Sequence, residues 1–359
     1  MEGDGLDSLR RRIRQIDDEL VALAAERVRL ARRIGEIKRA AGRPTIDYAQ
    51  ERRVLEAAGA AARRHGVESA VAQDLLARLI QAAVTAQEEE SLRQAATGRG
   101  KRAVVVGGAG RMGRWMRHFL EAQGWSVAVD DPEAPEGESA RALALLPDAD
   151  LVVLSTPPGH TAERYRQWRE KPPRGVVVDI ASIKTPLLGP IAALQRAGGR
   201  VASIHPMFGP SKVLLRGADV VVCDTGDDEA TALVEHLFAA TSARRVHLPL
   251  EEHDRIMADL LSMAHAFVIA FALALPADEH PVHSVTFQVL EEIAAKVARE
   301  SPQVYYEIQV DNPHSAEALD RLLAALGRLR EVLAARDREG FVELMAEGRR
   351  RTPDRGRLR

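Results

Sequence analysis

The sequence predicts a multidomain chain of α and α/β parts: an all-helical N-terminal module, a doubly wound parallel sheet and an all-helical C-terminal dimerisation domain. Three observations carry that expectation. Apolar residues at 9, 13, 16, 20, 23, 30, 34 and 37 follow a helical seam of alternating four- and three-residue steps. From about residue 101, apolar runs alternate with helical stretches, the pattern of a parallel sheet. From about residue 250, strand signals stop and long helical patterns follow. The expected parts are therefore 1–95, 101–250 and 251–345.

The seam helix over 6–40 would span about 50 Å, more than the diameter of a compact domain of its size, so the seam is expected to pack along a second chain. Gly42-Arg43-Pro44 should end it, with further helices over 46–64 and 69–93. Ala-Ala-Thr-Gly-Arg-Gly at 95–100 reads as a flexible linker. Strands are expected at 103–106, 125–129, 151–154, 176–180, 201–204 and 219–223, and later helices at 254–275, 284–300 and 315–335. Arg349-Arg350-Arg351 reads as a disordered basic tail.

Composition narrows the function. The 359 residues allow two or three domains, and a net charge of −2 gives no bulk attraction to nucleic acid or anionic membrane. Aromatic residues at 4% offer no stacking platform for single strands. No stretch reads as a membrane span and no signal-peptide core is seen, so neither nucleic acid nor membrane is an expected partner. The single cysteine, Cys223, sits in Asp219-Val-Val-Val-Cys223-Asp224, reads as an inert core thiol and suits a reducing cytoplasm.

The most informative stretch is Val104-Val105-Val106 running into Gly107-Gly108-Ala109-Gly110-Arg111-Met112-Gly113. Apolar positions Met112, Trp115, Met116, Phe119 and Leu120 continue it as a helix. Strand, Gly108-x-Gly110-x-x-Gly113 and helix together form the Rossmann-type cradle for a dinucleotide pyrophosphate. Val129-Asp130-Asp131 should end the second strand, where a carboxylate binds ribose hydroxyls and favours NAD over NADP; Arg111 and Arg114 weigh the other way. Ser155-Thr156-Pro157 ends the next strand at the same edge, either lining the cofactor or making a plain turn.

Two further groups of residues carry chemistry. Position 27 of the seam should be apolar and is Arg27, which needs an anionic partner unless it is a polar register residue. Lys38 lies eleven residues on and shares its face, whereas Arg10, seventeen residues back, points about 100° away and would reach such a ligand from an antiparallel second copy. Asp47 and Glu51 are an i,i+4 pair, though Asp47 also suits a helix N-terminus and Glu51 a solvated face. Gln87 ends the stripe Leu76, Ile80, Ala83. Further on, His205 is fixed by the proline of His-Pro-Met-Phe-Gly-Pro at a strand end, as a proton acceptor or as a satisfied turn histidine. Asp-Ile-Ala-Ser182-Ile-Lys184 closes the preceding strand, where Ser182 could instead cap a helix and Lys184 be a surface charge.

Residues 6–90 resemble the all-helical chorismate mutase family, with Arg10, Arg27, Lys38, Asp47, Glu51 and Gln87 on its active-site pattern. That resemblance implies arginines gripping substrate carboxylates, Lys38 and Gln87 addressing the ether oxygen, and Glu51 a hydroxyl. Ala83 stands where the family usually has a hydroxyl residue. Residues 101–335 resemble prephenate dehydrogenase in the glycine loop, 179–184, 205–210 and Glu252-His253-Asp254. This implies that His205 addresses the substrate 4-hydroxyl with Ser182 beside it, that His253 and His265 belong to the substrate pocket, and that no metal is needed. Gln288 replaces a family arginine that grips a carboxylate, which raises arogenate as an alternative substrate.

The order of the two parts resembles the bifunctional mutase–dehydrogenase family of tyrosine biosynthesis (the T-protein family). It implies chorismate and prephenate as substrates, NAD as cofactor and a homodimer. Two alternatives stand beside it. One is an arogenate-preferring dehydrogenase whose helical module is regulatory and mutase-inactive. The other is a non-catalytic dinucleotide sensor, which would have no use for His205, Ser182 and the cations of the helical module.

Overall fold

The structure, a computed structural model, describes residues 2–41, 47–212, 215–276, 282 and 284–352. The expected helix stop at 42–44 lies outside the described residues. The chain divides into two compact units, one of residues 1–156, 167–180 and 194–247, the other of 157–166, 181–193 and 248–359.

The first unit begins with three helices, α1 (Glu2–Ala40), α2 (Tyr48–Arg64) and α3 (Ser69–Ala95). A seven-stranded sheet follows, built from β1 (Arg102–Val106), β2 (Ser126–Asp130), β3 (Leu151–Leu154), β4 (Val176–Asp179), β5 (Arg200–Pro206), β6 (Asp219–Asp224) and β7 (Arg244–Pro249). The same unit holds α4 (Arg111–Glu121), α5 (Glu138–Leu145) and α8 (Asp228–Phe238), whereas α6 (Pro158–Trp168) and α7 (Leu188–Arg196) fall mostly in the second unit. Strand order is β2-β1-β3-β4-β5-β6-β7, and the first five strands are parallel. Their C-terminal ends share one edge, which is where α/β sheets bind ligands.

Alternation explains the core. Ala103, Val105, Leu151, Val153, Val176, Val178, Ala202 and Ile204 point to one face, where they meet Met116, Phe119 and Leu120 of α4 and Val234, Leu237 and Phe238 of α8. Phe119 stacks on Phe238 at 4.8 Å. Val104, Val152, Leu154 and Val177, facing the other way, are also fully buried. Covered on both faces, the strands read as unbroken apolar runs.

Two features of the sheet differ from the sequence expectation. β6 runs antiparallel to β5, with His205 opposite Val221. The described residues between them contain no helix, and without a helical crossover the strand returns beside its neighbour. β7 was not expected at all. Its residues are mostly exposed or half-buried, so it lacks the apolar run that marks the other strands.

The segment 95–100 is a packed turn rather than a flexible linker. Thr97 is buried, its hydroxyl donates to Gln123 Oε1 at 2.8 Å, and Trp125 Nε1 donates back to it at 3.2 Å. A Cβ at Gly98 would lie 2.1 Å from the Trp125 ring, so the glycine serves close packing, not mobility.

The second unit is helical: α9 (His253–Met257), a π-turn over Ala258–Met263, α10 (Ala264–Ala274), α11 (Val285–Ala298), α12 (Pro302–Val310), α13 (Ser315–Ala334) and α14 (Arg338–Arg351). Arg349-Arg350-Arg351, expected to be disordered, forms the last turn of α14, where cations favour the helix dipole and Arg351 pairs with Glu347 at 2.5 Å. The expectation that no segment could span a membrane is also corrected. Leu250–Ala274 is long and apolar enough by length and composition, with a mean hydropathy of 2.0. It nevertheless carries buried His253, Asp254 and Ser262, and Ser262 is tied to α12 and α13 through the Ile308 carbonyl and the Ser315 hydroxyl.

Gly98→Ala is expected to lower the urea midpoint by an amount equivalent to about 1–3 kcal/mol, the usual cost of overpacking, and to perturb the Trp125 fluorescence that reports it.

Candidate active sites

The three N-terminal helices enclose a cavity of about 190 Å³. α1 contributes Arg27, Ala31, Ile34 and Lys38, one face at helical spacing. α2 contributes Asp47, Gln50, Glu51 and Val54, and α3 contributes Ile80, Ala83, Val84 and Gln87. The structure therefore brings together Arg27, Lys38, Asp47, Glu51, Ala83 and Gln87. Arg27 and Lys38 are half-buried, and Gln87 is buried with its amide donating to the Ala31 carbonyl. Asp47 has both of the roles weighed for it: it lines the cavity, and its side chain caps α2 by accepting from Gln50 N at 2.9 Å. Glu51 is not a solvated residue; it pairs with Arg216. Arg10 stands apart, exposed and paired with Asp7 at 3.5 Å.

Sequence reasoning missed Gly35. It is buried beside Gln87, and a Cβ there would lie 2.9 Å from Gln87 Cγ. A small residue one position past the apolar seam was the available signal. Among the described residues the seam is left largely uncovered: Leu9, Ile13, Leu20, Leu23, Leu30 and Ile37 are each half exposed or more.

At the sheet edge, the glycine loop has the geometry of a phosphate cradle. Gly107 has φ +78°, and a Cβ there would sit 2.5 Å from the Ser155 carbonyl. A Cβ at Gly113 would sit 2.0 Å from the Gly107 carbonyl, so α4 can approach the loop only without one. Gly110 precedes α4 without a side-chain cap, leaving first-turn N–H groups directed at the loop. Asp130 is buried at the end of β2, with its carbonyl accepting from Gly107 N at 2.8 Å. Asp131 Oδ2 accepts from Ala109 N at 3.0 Å. Arg111 is exposed, Met112 half-buried, and Arg114 donates to the Ala109 carbonyl. Ser155 and Thr156 are half-buried next to the loop, whereas Pro157 is exposed. Close backbone, an uncapped helix end and a carboxylate after β2 fit a dinucleotide. Gly107, outside the Gly-x-Gly-x-x-Gly pattern itself, is held about as tightly as Gly108 and Gly113 and more tightly than Gly110.

His205 is buried at the C-terminal end of β5. The loop after it is pinned by Trp115, whose Nε1 donates to the Lys212 carbonyl at 2.9 Å and whose ring meets Phe208 edge-on at 5.0 Å.

In the second unit, Asp254 organises the Ser182 loop. Its carboxylate accepts from Lys184 N at 2.8 Å and from Thr185 N at 2.7 Å, and His253 Nδ1 lies 2.7 Å away. Burial opposes charge on Asp254, but the hydrogen bonds from His253, Thr185 and Lys184 outweigh it and hold the carboxyl below the usual aspartate range. The sequence contained this residue within Glu-His-Asp without showing what it holds. Lys184 is fully buried, not a surface charge, and Ser182 is half-buried. Among the described residues His265 Nδ1 is buried without a hydrogen-bond partner, its ring is edge-on to Tyr305 at 4.6 Å, and burial pushes its pKa down. An unbroken α-helix would set His253 and His265 about 120° apart; the wider π-turn between them takes back part of that angle. Gln288 is exposed on α11.

Residues 9–88 match the model of type II chorismate mutase, 136–247 that of the prephenate dehydrogenase nucleotide-binding domain, and 249–347 that of the prephenate dehydrogenase dimerization domain. A 4-amino-4-deoxyprephenate dehydrogenase of Streptomyces pristinaespiralis is 32% identical over 270 residues, 68% of this chain and 89% of that protein. The chain belongs to the prephenate dehydrogenase family. A T-protein of Enterobacter agglomerans is 28% identical over 94% of this chain and 90% of its own length, so the similarity includes the helical module. The solved prephenate dehydrogenase of A. aeolicus, in complex with hydroxyphenyl propionate and NAD+, shares the fold at a TM-score of 0.57 and 20% identity, covering 70% of this chain and 96% of that one. This family member is thus a bifunctional chorismate mutase and NAD-dependent prephenate dehydrogenase of tyrosine biosynthesis, and the mutase-inactive alternative is not favoured.

Two outcomes follow from this geometry. Gly113→Ala should abolish measurable NAD binding in a fluorescence titration while leaving chorismate turnover intact, because the added carbon collides with the backbone of the cradle. Asp254→Ala should cost about 3 kcal/mol at pH 7, since it leaves buried N–H donors unpaired. The folded carboxyl titrates below the unfolded one, so its contribution is complete at neutral pH. It is lost as pH falls through the acid range, and the gap between variant and wild-type denaturation midpoints should narrow there.

Proposed function

We propose that the cavity of α1–α3 rearranges chorismate to prephenate and that His205 and the Ser182–Lys184 loop serve the oxidative decarboxylation of prephenate. The observation that supports the first assignment is the convergence of Arg27, Lys38, Glu51 and Gln87 on one small cavity. The rearrangement is pericyclic and calls for no nucleophile or proton transfer. It needs a flexible dianion held compact, with positive charge near the ether oxygen as that bond breaks. Arg27 grips a carboxylate, Lys38 and Gln87 address the ether oxygen, Glu51 accepts from a ring hydroxyl, and Asp47 lines the wall. Ala83 offers no hydroxyl to the substrate.

In the second reaction, a ring nitrogen of His205 takes the proton of the substrate 4-hydroxyl. Bound NAD supplies the hydride acceptor, and the glycine loop with Asp130 and Asp131 would hold it. The hydride comes from the carbon bearing that hydroxyl, the ring carboxylate leaves as CO2, the ring becomes aromatic, and the 4-oxygen takes the proton back to give 4-hydroxyphenylpyruvate. Ser182, Lys184, His253 and His265 are assigned to the substrate; among the described residues the buried His265 Nδ1 has no hydrogen-bond partner. Gln288 is the weakest grip on a carboxylate among them.

The working parts are 1–95 for the mutase, 101–250 for the nucleotide and 251–345 for substrate and dimerisation. The exposed α1 seam is assigned to a second copy, which Arg10 would reach, and the protein is placed in the cytoplasm as a homodimer.

Arg27→Ala should lower mutase kcat/KM at least about 100-fold and spare the dehydrogenase. His205→Asn should lower NADH formation about 10²–10⁴-fold and spare the mutase. Parallel loss of both activities in either variant would mean a shared folding defect and would sink the assignment. Prephenate should be preferred over arogenate and over its 4-amino-4-deoxy analogue; a reversed order would move the substrate class to the amino compounds.

A further inference from the structure

Arg216 lies between β5 and β6, in the nucleotide-binding part of the chain, yet its guanidinium reaches Glu51, which lines the mutase cavity. Nη1 donates to Glu51 Oε1 at 3.1 Å and Nη2 to Glu51 Oε2 at 2.5 Å, a two-pronged fork. Both side chains are only 18% exposed, which separates this pair from a loose surface contact. The guanidinium also lies 5.2 Å from the centre of the Tyr48 ring. The backbone that presents it is held too: Leu215 N donates to Glu88 Oε2 at 3.0 Å, and Glu88 follows Gln87 directly on α3.

Glu51 poses an electrostatic problem that this fork answers. A bare carboxylate beside a dianionic substrate repels it. Arg216 neutralises that charge and fixes the plane of the carboxylate. It occupies one acceptor position on each oxygen and leaves the others open to a hydroxyl. We propose that Arg216 is a positioning residue of the mutase site, orienting Glu51 toward the substrate and making the activity of the helical module depend on the domain that follows it. This rests on the assignment of Glu51 made above.

The test uses the full chain as wild type, R216A, R216K, E51Q and the R216A/E51Q double variant, with chorismate loss and NADH formation from prephenate measured separately. R216A should lower mutase kcat about tenfold or more while chorismate KM moves less than about threefold, because orientation rather than affinity is lost. Dehydrogenase turnover should stay within about twofold of wild type, and R216K, which keeps the charge without the fork, should recover only part of the mutase rate. In the E51Q background, R216A should remove no more than about a further twofold, since both act through one group. Wild-type mutase kcat in R216A, parallel loss of both activities, or multiplicative losses in the double variant would overturn the inference. Wild-type mutase turnover in E51Q would instead overturn the role of Glu51 itself, and this inference with it.

Discussion

One buried carboxylate joins the helical module to the sheet. Glu88, near the C-terminal end of α3, accepts from Leu215 N at 3.0 Å, from Ser242 N at 2.5 Å and from the Ser242 hydroxyl at 2.8 Å. Hydrogen bonds to a charged group are each worth about 1.5–3 kcal/mol, and the Leu215 bond is fully buried while those from Ser242 are half-buried. Leu92, one turn further along α3, enters the apolar core of the sheet. Gln87, one residue back, points into the mutase cavity. The position of the cavity wall and the packing of the sheet are therefore set by adjacent residues on one helix.

The two proposed sites are built for anions by opposite means. The mutase cavity presents side-chain cations, Arg27 and Lys38, on a half-buried helical face, where screening by water is weakened. The dinucleotide site presents backbone N–H groups and a helix end, which requires the backbone itself to come close. That is why its constraints fall on glycines whose missing Cβ atoms would strike the Ser155 and Gly107 carbonyls. The Ser182 loop shows a third arrangement. There the carboxylate is the buried partner, and Asp254 gathers backbone donors to fix a loop that its own sequence leaves free.

Much of the architecture was legible because periodicity is local. The α1 seam, the apolar strand runs and the strand–glycine–helix stretch each declare themselves within about twenty residues. The departures arise where distant partners decide. Thr97 and Gly98 have linker composition but pack against Gln123 and Trp125, more than twenty residues away. β6 is an apolar run like the others, yet it runs antiparallel to β5, and the described residues between them contain no helical crossover. β7 is nearly invisible because few of its side chains are buried. The arginines near the C-terminus resemble a tail by charge, yet they suit the last turn of a helix.

The kinds of chemistry present can be read from residue order alone: a cation on an apolar seam, a glycine loop between strand and helix, and a histidine locked by proline at a strand end. Each is a short pattern whose meaning depends on neighbours along the chain. Which of these residues meet is a matter of how the folded elements pack. The tertiary structure places Gln87 over Gly35, sets Asp254 under the Ser182 loop, and carries Arg216 to Glu51 across 165 residues of sequence. Such pairings depend on how whole helices and sheets pack, and packing depends on the summed burial of many side chains, which no local pattern records.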